Sequence, residues 1–260
     1  MVLETYPFNH PASVSHQDQD IFASVTILNN LMCLRTTAII IVRNDERFLA
    51  DALQSIVQQT RPPDKVLVID GQSTDRTEQI ARSFPGVRYL LQPDLGIANA
   101  CNLALHIASS EYVAFLDADD RWTPDKLAVQ LSFMLAHPHL MYTTTLLRLF
   151  YDPDCTPRPG FREEAFAQGI EGRFPGTMLA RREVFQRVGP FDPAFALAFE
   201  IDWFARAQDA GEQSAVIERV LLHKRIHAQN NSIQQERFRS EGFVVLRRTL
   251  ARKRMAQLAA

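Results

Sequence analysis

Between residues 37 and 122 short β-branched runs alternate with segments of helical period, and no other feature restricts the fold of this chain as tightly. Ala38–Val42 reads as a buried strand, and Phe48, Leu49, Ala52, Leu53, Ile56 and Val57 mark one face of a helix. Val66–Ile69 is a second strand, followed by a helix over about 75–84. Val87–Leu91 is a third, followed by a helix over about 97–108, and Tyr112–Leu116 is a fourth. Strands alternating with helices imply right-handed crossovers and a largely parallel sheet covered on both faces, an α/β, Rossmann-like arrangement. Thr123 as N-cap with Pro124 at the first helical position predicts a further helix to about Ala136. Beyond His137 the alternation breaks down, and Pro153, Pro157, Pro159 and Gly160 punctuate a loop-rich stretch. Residues 1–36 read as a poorly organised extension. It is not a secretory signal, since its first basic residue, Arg35, follows the apolar Ile21–Leu34 segment, and Met32 is an alternative start.

Composition removes several classes. A formal charge of −2 on 260 residues gives no global reason to coat nucleic acid, and 46% hydrophobic residues is too many for a disordered tail. The longest apolar run, Ala194–Phe199, is far short of the roughly 20 residues of a membrane-spanning helix. Cys33, Cys101 and Cys155 are odd in number and widely spaced, which fits neither a disulfide framework nor a zinc site and suits a reducing cytoplasm.

Ligands of an open parallel sheet bind beyond the carboxyl ends of its strands. Here those ends are acidic: strand two runs into Asp70-Gly71-Gln72-Ser73-Thr74-Asp75 and strand four into Asp117-Ala118-Asp119-Asp120. Carboxylates gathered at one edge repel unless cations offset them, and the Asp-x-Asp spacing lets two side chains approach one hard divalent ion. The same residues can also serve only as helix N-caps. No G-x-G occurs among the ten glycines, nor any P-loop, and a sheet that holds a diphosphate without a glycine cradle can use a divalent cation held by carboxylates. That pattern points to transfer from a nucleotide-activated donor.

The strings Ile39–Asn44, Val68–Thr77, Gln92–Asn102 and Phe115–Asp120 resemble, in order and spacing, the nucleotide-binding half of family 2 glycosyltransferases. The resemblance resumes at Phe174–Asp192, Ala198–Arg206 and Arg225-Ile226-His227 with Asn230 and Ser232. It implies a GT-A fold over 37–234, with a nucleotide-binding half to residue 122 and a mixed acceptor-side half from 123; residues 235–260 read, from their own composition, as a basic C-terminal helix. It further implies that Asp70 contacts the base and ribose, that Asp94 with Asn99 or Asn102 shapes the nucleotide pocket, and that Asp117 reaches the ribose or a metal-bound water. Asp119 would bind Mn2+ or Mg2+ through the donor diphosphate, with His227 closing over it or adding a ligand. Arg43 stands where the family often has tyrosine and is either a base or phosphate contact or a solvated side chain. The implied donor is a nucleotide-diphosphate sugar, UDP-linked first and GDP- or dTDP-linked otherwise, and the implied acceptor is a saccharide or lipid-linked saccharide.

Inversion in one displacement needs a base on the acceptor hydroxyl. The resemblance places Glu200, with Asp202 as second candidate, where the family carries its acidic string, although both can instead form ion pairs along a helix with Arg206. The rival readings are a non-catalytic nucleotide-sugar-binding module and a sugar nucleotidyltransferase. The latter normally has a Gly-rich loop after strand one, and Arg43-Asn44-Asp45-Glu46 has no glycine.

From Gln235 onward seven basic side chains face only Glu236 and Glu241, so the remainder of the chain carries seven net negative charges. This basic helix could lie on an anionic membrane, at the inner face of the cell membrane, or pack one face on the domain.

Overall fold

The computed structural model describes residues 34–155, 163–228 and 235–259. Residues 1–33, with the candidate start Met32, and the motif residues Asn230 and Ser232 lie outside them. Strand β1 (Thr36–Val42) is followed by α1 (Leu49–Val57), β2 (Lys65–Asp70), α2 (Thr77–Ser83), β3 (Val87–Leu91), α3 (Ile97–Ile107) and β4 (Tyr112–Asp117). These four strands pair in parallel in the order β3-β2-β1-β4, as the sequence alternation requires. The helix faces follow the sequence period: α1 buries Leu49, Ala52, Leu53 and Ile56, and α3 buries Ala98, Cys101, Ala104 and Leu105.

The sheet then turns mixed. Two-residue β5 (Arg121–Trp122) leads to α4 (Lys126–Ala136), the ten-residue β6 (Tyr142–Tyr151), α5 (Glu163–Ala167), β7 (Ile170–Glu171), a 3-10 turn at Pro175–Thr177, and β8 (Leu179–Arg181). Next come α6 (Val184–Val188), α7 (Phe199–Asp209), the thirteen-residue β9 (Ser214–Ile226) and α8 (Gln235–Ala259). Strand β8 runs antiparallel to β4 and to β6, β9 is parallel to β6, and β5 closes the order antiparallel to β9.

Two sequence expectations are corrected. Helix α4 starts at Lys126 and not at Pro124, because the Thr123 amide continues the strand ladder to the Leu221 carbonyl and its hydroxyl binds the Asp125 carboxylate instead of capping. The region after His137 is not only loop: Tyr142–Tyr151 is an interior strand whose Thr143, Thr144 and Thr145 are buried, so polar letters hide a covered stretch of sheet.

Trp203, Phe191 and Phe185 pack between α7, α6 and the sheet, with Trp203 fully buried and donating its indole N–H to the Gly189 carbonyl at 3.1 Å. Trp122 is likewise buried and donates to the Gly176 carbonyl. Both tryptophans are therefore packing residues. Helix α8 lies on α7: Val245 is buried, while Arg248 pairs with Asp192 and Arg252 with Asp209. Its other side exposes Phe243, Leu246 and Leu250 beside Arg239, Arg247 and Arg254.

Candidate active site

Register places the acidic residues on one edge. Val42 at the end of β1 pairs with Asp70, and Ile41 pairs with Asp117, so β2 and β4 deliver carboxylates on either side of the central strand. Beyond β4 a turn closed by the Asp120 amide and the Asp117 carbonyl brings Asp117, Asp119 and Asp120 together, one oxygen of each lying within 4.8 Å of the others. Their side chains grade inward, from 49% exposed at Asp117 through 19% at Asp119 to 0% at Asp120.

Three carboxylates at this spacing need counter-charge, and β9 with the residue just beyond it provides it. The Lys224 ammonium lies 3.3 Å from Asp117 and 3.1 Å from Asp120. The Arg225 amide donates to Asp120 Oδ1 at 2.8 Å, and its guanidinium donates to the Asp119 carbonyl and pairs with Asp51 and Asp152. His227 Nε2 stands 2.9 Å from Asp119 Oδ2, its ring packed against Phe48. Burial alone would raise the Asp119 pKa, but the His227 hydrogen bond and the Lys224 charge hold it below the ordinary carboxylate value. Burial would depress the Lys224 pKa, yet Asp120, Asp117 and Asp119 outweigh it and keep the ammonium charged. Asp45, which faces Asp119 and His227, is pushed up to about 6 by burial and by the Asp119 charge.

Glu200 sits in the first turn of α7. Burial, then repulsion from Asp117, raises its pKa to about 8, with Lys224 relieving part of the shift. Asp202 is differently engaged: its Oδ2 accepts from Arg206 Nε at 2.7 Å, and Arg206 also donates to the Val188 and Pro190 carbonyls. The ion-pair alternative thus describes Asp202, while Glu200 is near enough to Asp117 and Lys224 to feel their charges.

The other sequence candidates divide by exposure. Arg43 and Asp94 are exposed, and Arg43 lies against Gly71, where a Cβ would meet its side chain at 3.3 Å. Asp70 is buried, accepting from the Ser73 amide and hydroxyl and from the Tyr89 hydroxyl at 2.6–2.9 Å. Asn99 caps back to the Leu95 carbonyl, and Asn102 makes two hydrogen bonds to the Phe191 backbone, tying α3 to the loop before α7. Lys224 and Asp45 are site residues that the sequence reading does not single out. The one hint of Lys224 is outside its own strand: an acidic edge needs cations from elsewhere in the chain, and β9 carries the consecutive Lys224-Arg225.

The triad suits a hard divalent cation: its ligand atoms are all carboxylate oxygens, they converge, and two of them already hold a cationic group, the Lys224 ammonium.

Residues 37–189 match the family model for Glycosyl transferase family 2. A 97-residue segment, 35% of this chain, is 36% identical to 38% of the putative teichuronic acid biosynthesis glycosyltransferase TuaG of Bacillus subtilis. A 95-residue segment, also 35% of the chain, is 37% identical to 38% of the Escherichia coli UDP-Glc:alpha-D-GlcNAc-diphosphoundecaprenol beta-1,3-glucosyltransferase WfgD. The matched region spans about two fifths of the length of these two curated relatives. The fold is similar to that of glucosyl-3-phosphoglycerate synthase from Mycobacterium tuberculosis, solved with Mn2+, UDP and phosphoglyceric acid: TM-score 0.64, 18% identity, 94% of this chain and 84% of that one covered.

Proposed function

The chain belongs to glycosyl transferase family 2 and has the GT-A fold, and on that premise we propose that it moves a sugar from a nucleotide-diphosphate donor, a UDP-sugar first, to a hydroxyl of a glycan or lipid-linked acceptor, with inversion. The observation that carries this reading is the convergence of Asp117, Asp119 and Asp120 at the carboxyl edge of the parallel strands, with Glu200 in the first turn of α7 within the influence of the Asp117 charge. Asp119 and Asp117, with His227 beside them, would hold Mn2+ or Mg2+. When bound, the ion supplies charge neutralisation for the departing diphosphate.

Glu200 is the proposed base. A carboxylate whose proton affinity is raised accepts the acceptor hydroxyl proton more readily than a solvated one. That proton passes to Glu200 as the hydroxyl oxygen bonds to C1, and the C1–O bond breaks with its electron pair leaving on the nucleoside diphosphate. Asp202, spent on Arg206, is a support of α7 in this scheme. Arg43 and Asp94 are exposed and suit direct donor contacts, whereas Asp70, Asn99 and Asn102 are bonded within the fold and suit shaping of the pocket.

A lipid-linked acceptor agrees with the diphosphoundecaprenol-linked GlcNAc for which the Escherichia coli relative is named, and the exposed apolar and basic side of α8 supports peripheral contact with the inner face of an anionic membrane. Among the described residues no helix is long and apolar enough to cross one.

The test is thermal shift with UDP-, GDP- and dTDP-sugars, with and without Mn2+, followed by donor turnover in wild type, Asp119→Ala and Glu200→Gln. Metal-dependent stabilisation by one donor and turnover lost in both variants support the proposal. Stabilisation without turnover over a broad acceptor panel would instead indicate a binding module.

A further inference from the structure

The proposed metal site already contains a cation of the protein's own. The Lys224 ammonium bridges Asp117 Oδ2 and Asp120 Oδ2 at 3.3 and 3.1 Å, and its side chain is only 26% exposed. Its surroundings are built around it. Lys224 sits over the face of Phe174, its ammonium 5.0 Å from the ring centroid, where the π-cloud favours a cation. That ring fits between Gly172 and Gly176: a Cβ on either would come within 2.8 Å of a Phe174 ring carbon. Strand β9 fixes the backbone, with Lys224 paired to Leu149 and the next amide donating to Asp120. Asp120 is fully buried, so without Lys224 a buried carboxylate would lose its nearest ammonium.

We infer that Lys224 is a resident counter-cation that holds Asp117 and Asp120 while no divalent ion is bound and competes with that ion for Asp117, so that metal binding is coupled to arrival of the diphosphate. A fixed positive charge a few ångströms from an incoming dication opposes its entry, and the opposition is strong in a partly buried site. The anionic diphosphate removes it, because its oxygens can accept from the ammonium and coordinate the metal together. A free metal ion is then a poor ligand and the metal–nucleotide pair a good one.

The inference rests on the proposed donor site, and the test separates the two. Mn2+ binding is measured on the full chain by calorimetry and by loss of the free-ion electron paramagnetic resonance signal, with and without UDP, for wild type, Lys224→Met and Lys224→Arg. Expected is that Lys224→Met binds Mn2+ alone at least tenfold more tightly than wild type, that the gap closes to within threefold with saturating UDP, and that Lys224→Arg stays close to wild type. Equal or weaker Mn2+ binding by folded Lys224→Met overturns the inference while leaving the donor site intact. If circular dichroism shows that Lys224→Met does not fold, Lys224→Gln, which can still donate to Asp120, is measured by the same criteria. Absence of binding by wild type to Mn2+ and UDP together overturns the donor-site reading itself.

Discussion

The Glu241 carboxylate accepts the Ala198 amide hydrogen at 2.9 Å, so the C-terminal helix α8 caps the start of α7. The same carboxylate accepts from Leu197 at 2.8 Å and Ala196 at 3.2 Å, so it gathers three successive amides at the entry to the helix that begins at Phe199, where backbone N–H groups lack partners within the helix. Burial would raise the Glu241 pKa, but these amides and Arg237 hold it below its ordinary value, so the cap stays charged at the positive end of the helix dipole. Glu241→Ala is expected to cost about 1–3 kcal/mol in urea unfolding. Because Glu200 lies on the capped turn, kcat should fall more than KM rises, and Glu241→Gln should restore part of both.

The pH response of Glu200 has a fixed sign. Its folded pKa of about 8 exceeds its ordinary value of 4.5, so the folded chain holds an extra proton between those values and stability falls as pH rises through that window. Glu200→Gln removes this contribution. Urea titrations should find the variant more stable than wild type at pH 9, by roughly 1–2 kcal/mol once partial exposure is allowed for, and nearly equal at pH 4. Turnover should behave in the opposite sense: wild-type rates rise with pH as Glu200 deprotonates, and Glu200→Gln loses at least about a hundredfold with a flat profile.

Arg206→Met separates support from chemistry. It would leave the Asp202 carboxylate buried and unpaired, at a cost of about 3–5 kcal/mol. The double change Arg206→Met with Asp202→Leu should recover much of that loss, because replacing a buried pair by apolar groups of similar size is often neutral. Turnover per folded molecule should stay within a few-fold of wild type in the double variant. A hundredfold drop there, measured alongside the folded fraction, would return the base to Asp202.

For α8, the exposed Phe243, Leu246 and Leu250 together with Arg247 and Arg254 set the expectation. Co-sedimentation with phosphatidylserine-rich vesicles should fall at least tenfold in Phe243→Ser/Leu246→Ser/Leu250→Ser and weaken with salt, since each basic side chain near an anionic surface contributes about 1 kcal/mol. These side chains face away from α7, so the melting temperature should not drop. Equal binding by variant and wild type would remove the membrane contact from the proposal.

The parallel half and its acidic edge could be read from the sequence because both are local. Ile39-Ile40-Ile41, the period of Leu49–Ile56 and the Asp117-Ala118-Asp119 string each carry their meaning within a few residues. The later strands could not be read so directly, since Thr143–Thr145 are polar letters buried in a strand whose partners, β8 at Thr143 and β9 along all three, are distant in sequence. Lys224 escaped for the same reason. Its role depends on carboxylates more than a hundred positions away, and nothing within β9 marks it apart from a surface lysine. Asp202 shows the reverse: its spacing to Arg206 announces an ion pair, and that local signal describes its contacts.

Strand β9 carries Lys224 and Arg225, with His227 one residue beyond its end, and Lys224 lies more than a hundred positions from the aspartates it pairs with. A growing chain that has reached α7 contains the whole β1–β4 unit, whose contacts are short-range and quick to form, but it lacks the Lys224 ammonium that bridges Asp117 and Asp120. Closing the long loop to residue 224 relieves that repulsion, so this electrostatic gain waits on a long-range contact and bears its loop-closure entropy. The acidic half of the proposed donor edge and its counter-charge thus belong to distant parts of the chain, and a β1–β4 unit by itself would carry the three carboxylates without the ammonium that bridges two of them.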